Sequence, residues 1–206
     1  MTLATWLAVV TICVLGAMSP GPSLALVLKQ TLTGGRRNGV ITALSHGIGV
    51  GIYAFLSILG LAAIITASPT AFSILQWGGA LYLAWLGMKG LMAKRQPDDE
   101  LPEPPTTKSA ARDGFLIAFF NPKIAVFFLA LFSQVVGTDT SLMAKFGYAA
   151  TALVIDTSWY LIVAWLFSNP KWLTLLRQKA VWFERIFGAI LLGLAGRLVV
   201  GILNGK

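Results

Sequence analysis

The chain has 206 residues and a formal net charge of +8; 56% of its residues are hydrophobic and only 12% are charged, with a mean hydropathy of +0.76. Soluble domains carry about 25% charged residues, so a water-soluble fold of this composition would lack a polar surface. The single Cys13 excludes a disulfide framework, one His with eight acids argues against a multi-ligand metal centre, and no cofactor is expected.

Apolar stretches of about 18 residues or more mark membrane spans. Six occur in chain order: Leu3–Leu28, Val40–Ala67, Pro69–Met88, Gly114–Val136, Phe146–Phe167 and Val181–Leu203. All exceed the roughly 9–11 residues of a barrel strand, and the expected fold class is therefore an all-α integral membrane protein of about six transmembrane helices. The first stretch has no Lys or Arg before it and runs past the small residues near Ala17, so it reads as an uncleaved span rather than a secretory signal.

Basic residues enrich cytoplasmic loops. Lys29, Arg36 and Arg37 follow span one. Lys89, Lys94, Arg95, Lys108 and Arg112 follow span three, and Lys171, Arg177, Lys179 and Arg185 precede or open span six. Those twelve of the sixteen basic residues lie on alternate loops, against Lys145 alone on the others. The positive charge is thus an orientation signal that places both termini outside the cytoplasm, and no basic soluble domain is left to bind nucleic acid. The segment Gln96–Thr107, rich in Pro and acids, reads as a flexible cytoplasmic linker (about 93–112) between a first half, about 1–92, and a second, about 113–206.

The two halves resemble each other. Gly79–Ala80–Leu81–Tyr82–Leu83 leads to Gly87 in span three, and Gly188–Ala189–Ile190–Leu191–Leu192 leads to Gly196 in span six, at one spacing. Pro20–Gly21–Pro22 in span one is answered by Asn121–Pro122–Lys123 in span four, and Tyr53 by Tyr160. An odd number of spans per half implies two inverted three-helix repeats with proline-broken helices one and four. Secondary transporters with this arrangement bind substrate near the midplane, on broken helices.

Pro20 and Pro22 remove two backbone donors around an unrestrained Gly21, flanked by Ser19 and Ser23, and freed carbonyls in hydrocarbon must face neighbours or a wet cavity. Lys123 falls about ten residues, or about 15 Å, into span four, and Asp156 lies midway along span five. Ionisable residues at that depth usually face the bundle interior and mark ion or substrate pathways. Opposite signs at similar depth suggest a Lys123–Asp156 pair, direct or water-bridged, that either serves structure or separates so that Asp156 takes a proton. His46, in the first turns of span two, is either an interfacial hydrogen-bonding residue or a proton carrier. Gly47, Gly49 and Gly51 allow close helix approach.

Met18-Ser-Pro-Gly-Pro-Ser-Leu-Ala-Leu-Val-Leu28, Gly34-Gly-Arg-Arg-Asn-Gly39, Trp77-Gly-Gly-Ala-Leu-Tyr-Leu-Ala-Trp-Leu-Gly87 and Gly114-Phe through Asn121-Pro-Lys123 resemble the LysE/RhtB family of amino-acid exporters over nearly the whole chain. The resemblance implies a bacterial inner-membrane permease, not an enzyme, that expels amino acids or related metabolites on the proton motive force. It places functional interest on Pro20, Gly21, Pro22, Asn121, Pro122, Lys123 and Asp156. Val50 and Tyr53 stand where many relatives carry an acid and a His, leaving Asp156 the only acid deep in a span.

The expected function is a secondary exporter of a small zwitterion working by alternating access, with protons and membrane lipid as its other partners and room for a homo-oligomer. Ser23 and Tyr53 join the residues above as substrate contacts; Asp156 and His46 are the proton-coupling candidates. The alternative, a metal or other cation exporter, would need clustered acids, His or thiols, of which only Asp156 and Cys13 lie deep.

Overall fold

The computed structural model describes residues 3–19, 21–93, 107–137 and 139–204. Pro20 and most of the expected linker lie outside the described residues. Every regular element among the described residues is a helix: α1 (Leu3–Met18), α2 (Pro22–Ala67), α3 (Pro69–Leu91), α4 (Thr107–Phe120), α5 (Pro122–Phe132), α6 (Leu142–Leu166) and α7 (Pro170–Leu203).

Local chemistry explains the boundaries. Proline at the first helical position lacks only a donor that would be unsatisfied anyway, and Pro22, Pro69 and Pro122 each sit at such a start. The Ser68 side chain accepts from the Ala71 amide at 3.2 Å and the Ser141 side chain from the Ala144 amide at 3.3 Å, capping α3 and α6. Span one is therefore cut into α1 and the start of α2, and span four into α4 and α5, which meet at a bend of 52°. Both breaks fall where proline sterics place them.

α2 is interrupted at Gly35, whose φ of 75° and ψ of 173° only glycine tolerates readily. The chain doubles back there. Ser23 on the first limb reaches His46 on the second, and a Cβ on Gly39 would strike Thr31. Gly35→Ala is expected to cost about 1–3 kcal/mol, read as a lowered Tm of the detergent-solubilised protein; an unchanged Tm would show that the turn is not strained.

The second limb of α2 is the centre of the bundle. Its glycines alternate between two neighbours: Gly47 and Gly51 face Thr157 and Leu153 of α6, while a Cβ on Gly49 would stand 2.8 Å from the Ala118 methyl on α4. Its outer face carries Leu44, Ile48, Ile52, Leu56 and Leu59, all exposed, a stripe suited to lipid. α1 is tied to α6 by the Trp6 indole, which donates to Thr151 Oγ1 at 3.1 Å. α7 packs chiefly along α3, and this pair rests on the remainder through α5 and α2.

By length and apolarity Pro22–Ala67, Leu142–Leu166 and Val181–Leu203 are long enough to cross a membrane, and the bent α4–α5 pair is a fourth if it counts as one span. α1 is a shorter apolar helix. Two apolar clusters form the core. The larger joins Val9, Ile58, Leu61, Leu131 and Phe132, and the smaller joins Val27, Ala43, Tyr160 and Val163. The polar residues of interest lie between them.

Candidate functional site

The two helix breaks meet. Asn121, just before Pro122, has an extended backbone, and its Oδ1 accepts from the Lys123 amide at 3.0 Å, capping α5. Its Nδ2 donates to Ser23 Oγ at 3.1 Å, one residue past Pro22 on the other break. One side chain thus closes a helix start and joins the halves of the chain. Asn121→Ala is expected to lower stability by about 0.5–2 kcal/mol for the cap alone, measured by thermal melting; no loss would show that water replaces the cap.

Ser23 Oγ also lies 2.9 Å from His46 Nε2, and His46 Nδ1 lies 2.7 Å from Asp156 Oδ2. His46 is fully buried and Asp156 is 8% exposed, so the pair is shielded from solvent. With the ring proton on Nδ1, His46 donates to Asp156 and accepts from the Ser23 hydroxyl, while the Ser23 oxygen accepts from Asn121. With a second proton on Nε2, Ser23 accepts from both neighbours through its two lone pairs and turns its own hydrogen away. Neither state leaves a ring N–H unpaired. Tyr160, one helical turn beyond Asp156, sets its ring edge-on to His46 at 5.0 Å between centroids.

Lys123 turns toward the first break. Its ammonium donates to Ser19 Oγ at 2.6 Å and to the Ser19 carbonyl at 3.1 Å. Gly21 permits this approach, since a Cβ there would stand 3.2 Å from Lys123 Nζ. Asp156 forms an ion pair with His46, and it lines one chamber with Lys123, the partner expected from charge sign. The second limb of α2 begins just past Gly35, so His46 lies about 15 Å along a helix and is fully buried in the bundle.

These groups surround a chamber of about 50 Å³. Space of that size admits water. Gly21, Ser23, His46, Asn121, Lys123 and Asp156 all line it. Tyr53 does not, packing instead edge-on to Phe119 at 5.7 Å and alongside Phe128 at 6.4 Å between centroids. Sequence reasoning passed over Cys13, Ser19 and Tyr160 as site residues, and all three line the chamber. Tyr160 was within reach, because a residue four beyond Asp156 shares its helix face. Among the described residues no three of His, Cys, Asp or Glu converge to hold a metal ion, which leaves the cation-exporter alternative without a ligand set.

The family described as LysE type translocator matches residues 14–201. The chain belongs to this family. The translocator is 28% identical to the threonine efflux protein of Escherichia coli (strain K12) over 203 residues, 96% of this chain and 98% of that protein. It is 30% identical to the leucine efflux protein of Enterobacter sp. (strain 638) over 187 residues, 87% of each. No solved structure matches it. It is thus a membrane protein of a transporter family, with amino-acid efflux proteins among its relatives.

Proposed function

We propose that this translocator exports an amino acid or a closely related zwitterion by proton-driven alternating access, from a cytoplasm that faces the basic loops. Six passes carry it: α1 with the first limb of α2, the second limb of α2, α3, α4 with α5, α6 and α7. Both termini then lie on the outer side of the bacterial inner membrane. Two inverted repeats fit the meeting of the breaks through Ser23 and Asn121, and the glycine-lined antiparallel crossing of α2 with α6.

The observation that carries the proton-coupled reading is the buried Ser23–His46–Asp156 chain, which keeps its hydrogen bonds with or without the extra proton. Ionisable groups at membrane depth are retained for ion or substrate pathways. The order Ser–His–Asp also occurs in hydrolases, but the family matched over residues 14–201 is one of translocators. In the proposed cycle the chamber widens to admit substrate, with the carboxylate at Lys123 and the α5 N-terminus and the ammonium at Asp156. Transfer of the Asp156 charge from His46 to the substrate would couple substrate to proton.

The test is efflux from cells preloaded with each standard amino acid, with and without an uncoupler. Export of at least one amino acid, abolished by the uncoupler, is expected. Absence of export for all of them overturns the substrate class, and uncoupler-resistant export overturns the driving force.

A further inference from the structure

A second cavity, of about 380 Å³, lies between the α3–α7 pair and the helix breaks. It is several times larger than the inner chamber and shares Ser19, Gly21, Asn121 and Lys123 with it. Its own charged residues are Lys89, near the end of α3, and the half-buried Glu184 of α7. The Lys89 ammonium sits 5.5 Å from the centroid of the Trp85 ring, and Tyr82, Trp85 and Phe187 supply aromatic wall. Glu184 and Lys123 line the same cavity with opposite charge.

Taken with the inner chamber, the two cavities each present both basic and acidic side chains. Lys89 and Glu184 stand at the outer cavity, Lys123 and Asp156 at the inner one, and Lys123 lines both. A cation alone would need only the acid and an anion only the base. Walls of both signs with aromatic surface between them suit a solute bearing both charges and an apolar side chain.

We infer that this vestibule is a loading site for zwitterionic amino acids, with Glu184 receiving the ammonium and Lys89 the carboxylate before Lys123 passes the carboxylate inward. The inference rests on the amino-acid export reading and deepens it. Lys89 and Glu184 lie at the basic-loop end of the bundle, so loading occurs from the cytoplasm. Glycine packing makes the floor: a Cβ on Gly90 would stand 2.8 Å from the Glu184 carbonyl oxygen, and Gly188 packs against Gly87 and Gly90. The floor is thereby held while the chamber above it opens.

The experiment uses full-length protein in inside-out membrane vesicles, with Leu86→Cys as the reporter of the vestibule. Labelling by a membrane-impermeant maleimide is timed with and without a mixture of the standard L-amino acids lacking cysteine. Uptake into the same vesicles, which corresponds to export, is followed in parallel. Ligand at about tenfold above its dissociation constant should slow labelling about tenfold. Protection should persist in Asp156→Asn, where the inner site is damaged, and vanish in Glu184→Gln. Absent protection in vesicles that still transport overturns the loading site and leaves the export reading standing. Protection lost in Asp156→Asn but kept in Glu184→Gln also overturns it, by placing all binding in the inner chamber. Protection without transport of any amino acid supports the site and overturns export instead.

Discussion

Asp156→Asn is expected to reach the membrane in parental amounts and to abolish uncoupler-sensitive amino-acid export. Asparagine has nearly the shape of aspartate, and its carbonyl oxygen can still accept from His46 Nδ1, so the fold loses charge assistance in one hydrogen bond, about 1 kcal/mol. Function loses more. Without a carboxylate, nothing in the chamber balances a protonated His46 or a substrate ammonium, and transport should fall by more than about tenfold, a barrier increase of at least about 1.4 kcal/mol. His46→Gln is expected to follow it, since glutamine can bond to Asp156 but cannot carry a proton. Export that stays uncoupler-sensitive and unchanged in either variant would remove that residue from the proton path. Loss of the protein from the membrane in Asp156→Asn would make the pair structural.

The second large effect concerns packing. A Cβ on Gly188 would stand 2.6 Å from the Gly87 carbonyl oxygen and 2.6 Å from the Leu91 amide nitrogen. These are backbone atoms, and no side-chain rotation relieves them. Gly188→Val must therefore push α3 and α7 apart, at a cost of about 1–3 kcal/mol or more for overpacking, seen as a fall in Tm and in export together. Gly193→Ala is the control: nothing lies within 4 Å of the added Cβ, and removing a helix glycine gains up to about 1 kcal/mol. Equal behaviour of the two variants would show that the α3–α7 contact does not bear on stability.

The glycine contact also shows what resemblance between the halves conveys. The matched motifs singled out Gly87 with Gly196 and Gly79 with Gly188. In the folded chain Gly87 and Gly188 meet each other, Gly79 faces Ala130, and a Cβ added to Gly196 would meet no other element within 4 Å. Periodicity shows that small residues recur, but the facing partner depends on how each helix is rotated about its axis. The same holds for Tyr53 and Tyr160, matched in sequence and separated in space, one among phenylalanines and the other against His46.

Much was nonetheless set locally. Apolar length and scarcity of charge dictated helices with a lipid-suited exterior, because backbone groups in hydrocarbon must be satisfied within the segment. Proline sterics dictated the breaks at Pro22 and Pro122, and the energetic cost of buried charge singled out Lys123 and Asp156 as interior residues. Tertiary structure alone decided the partnerships. Asp156 meets His46, 110 positions away, and Lys123 meets Ser19, 104 positions away. Charge sign cannot choose between a lysine and a histidine as the partner of an acid. That choice came from the packing of α2 against α6, which brings the His46 ring to Asp156.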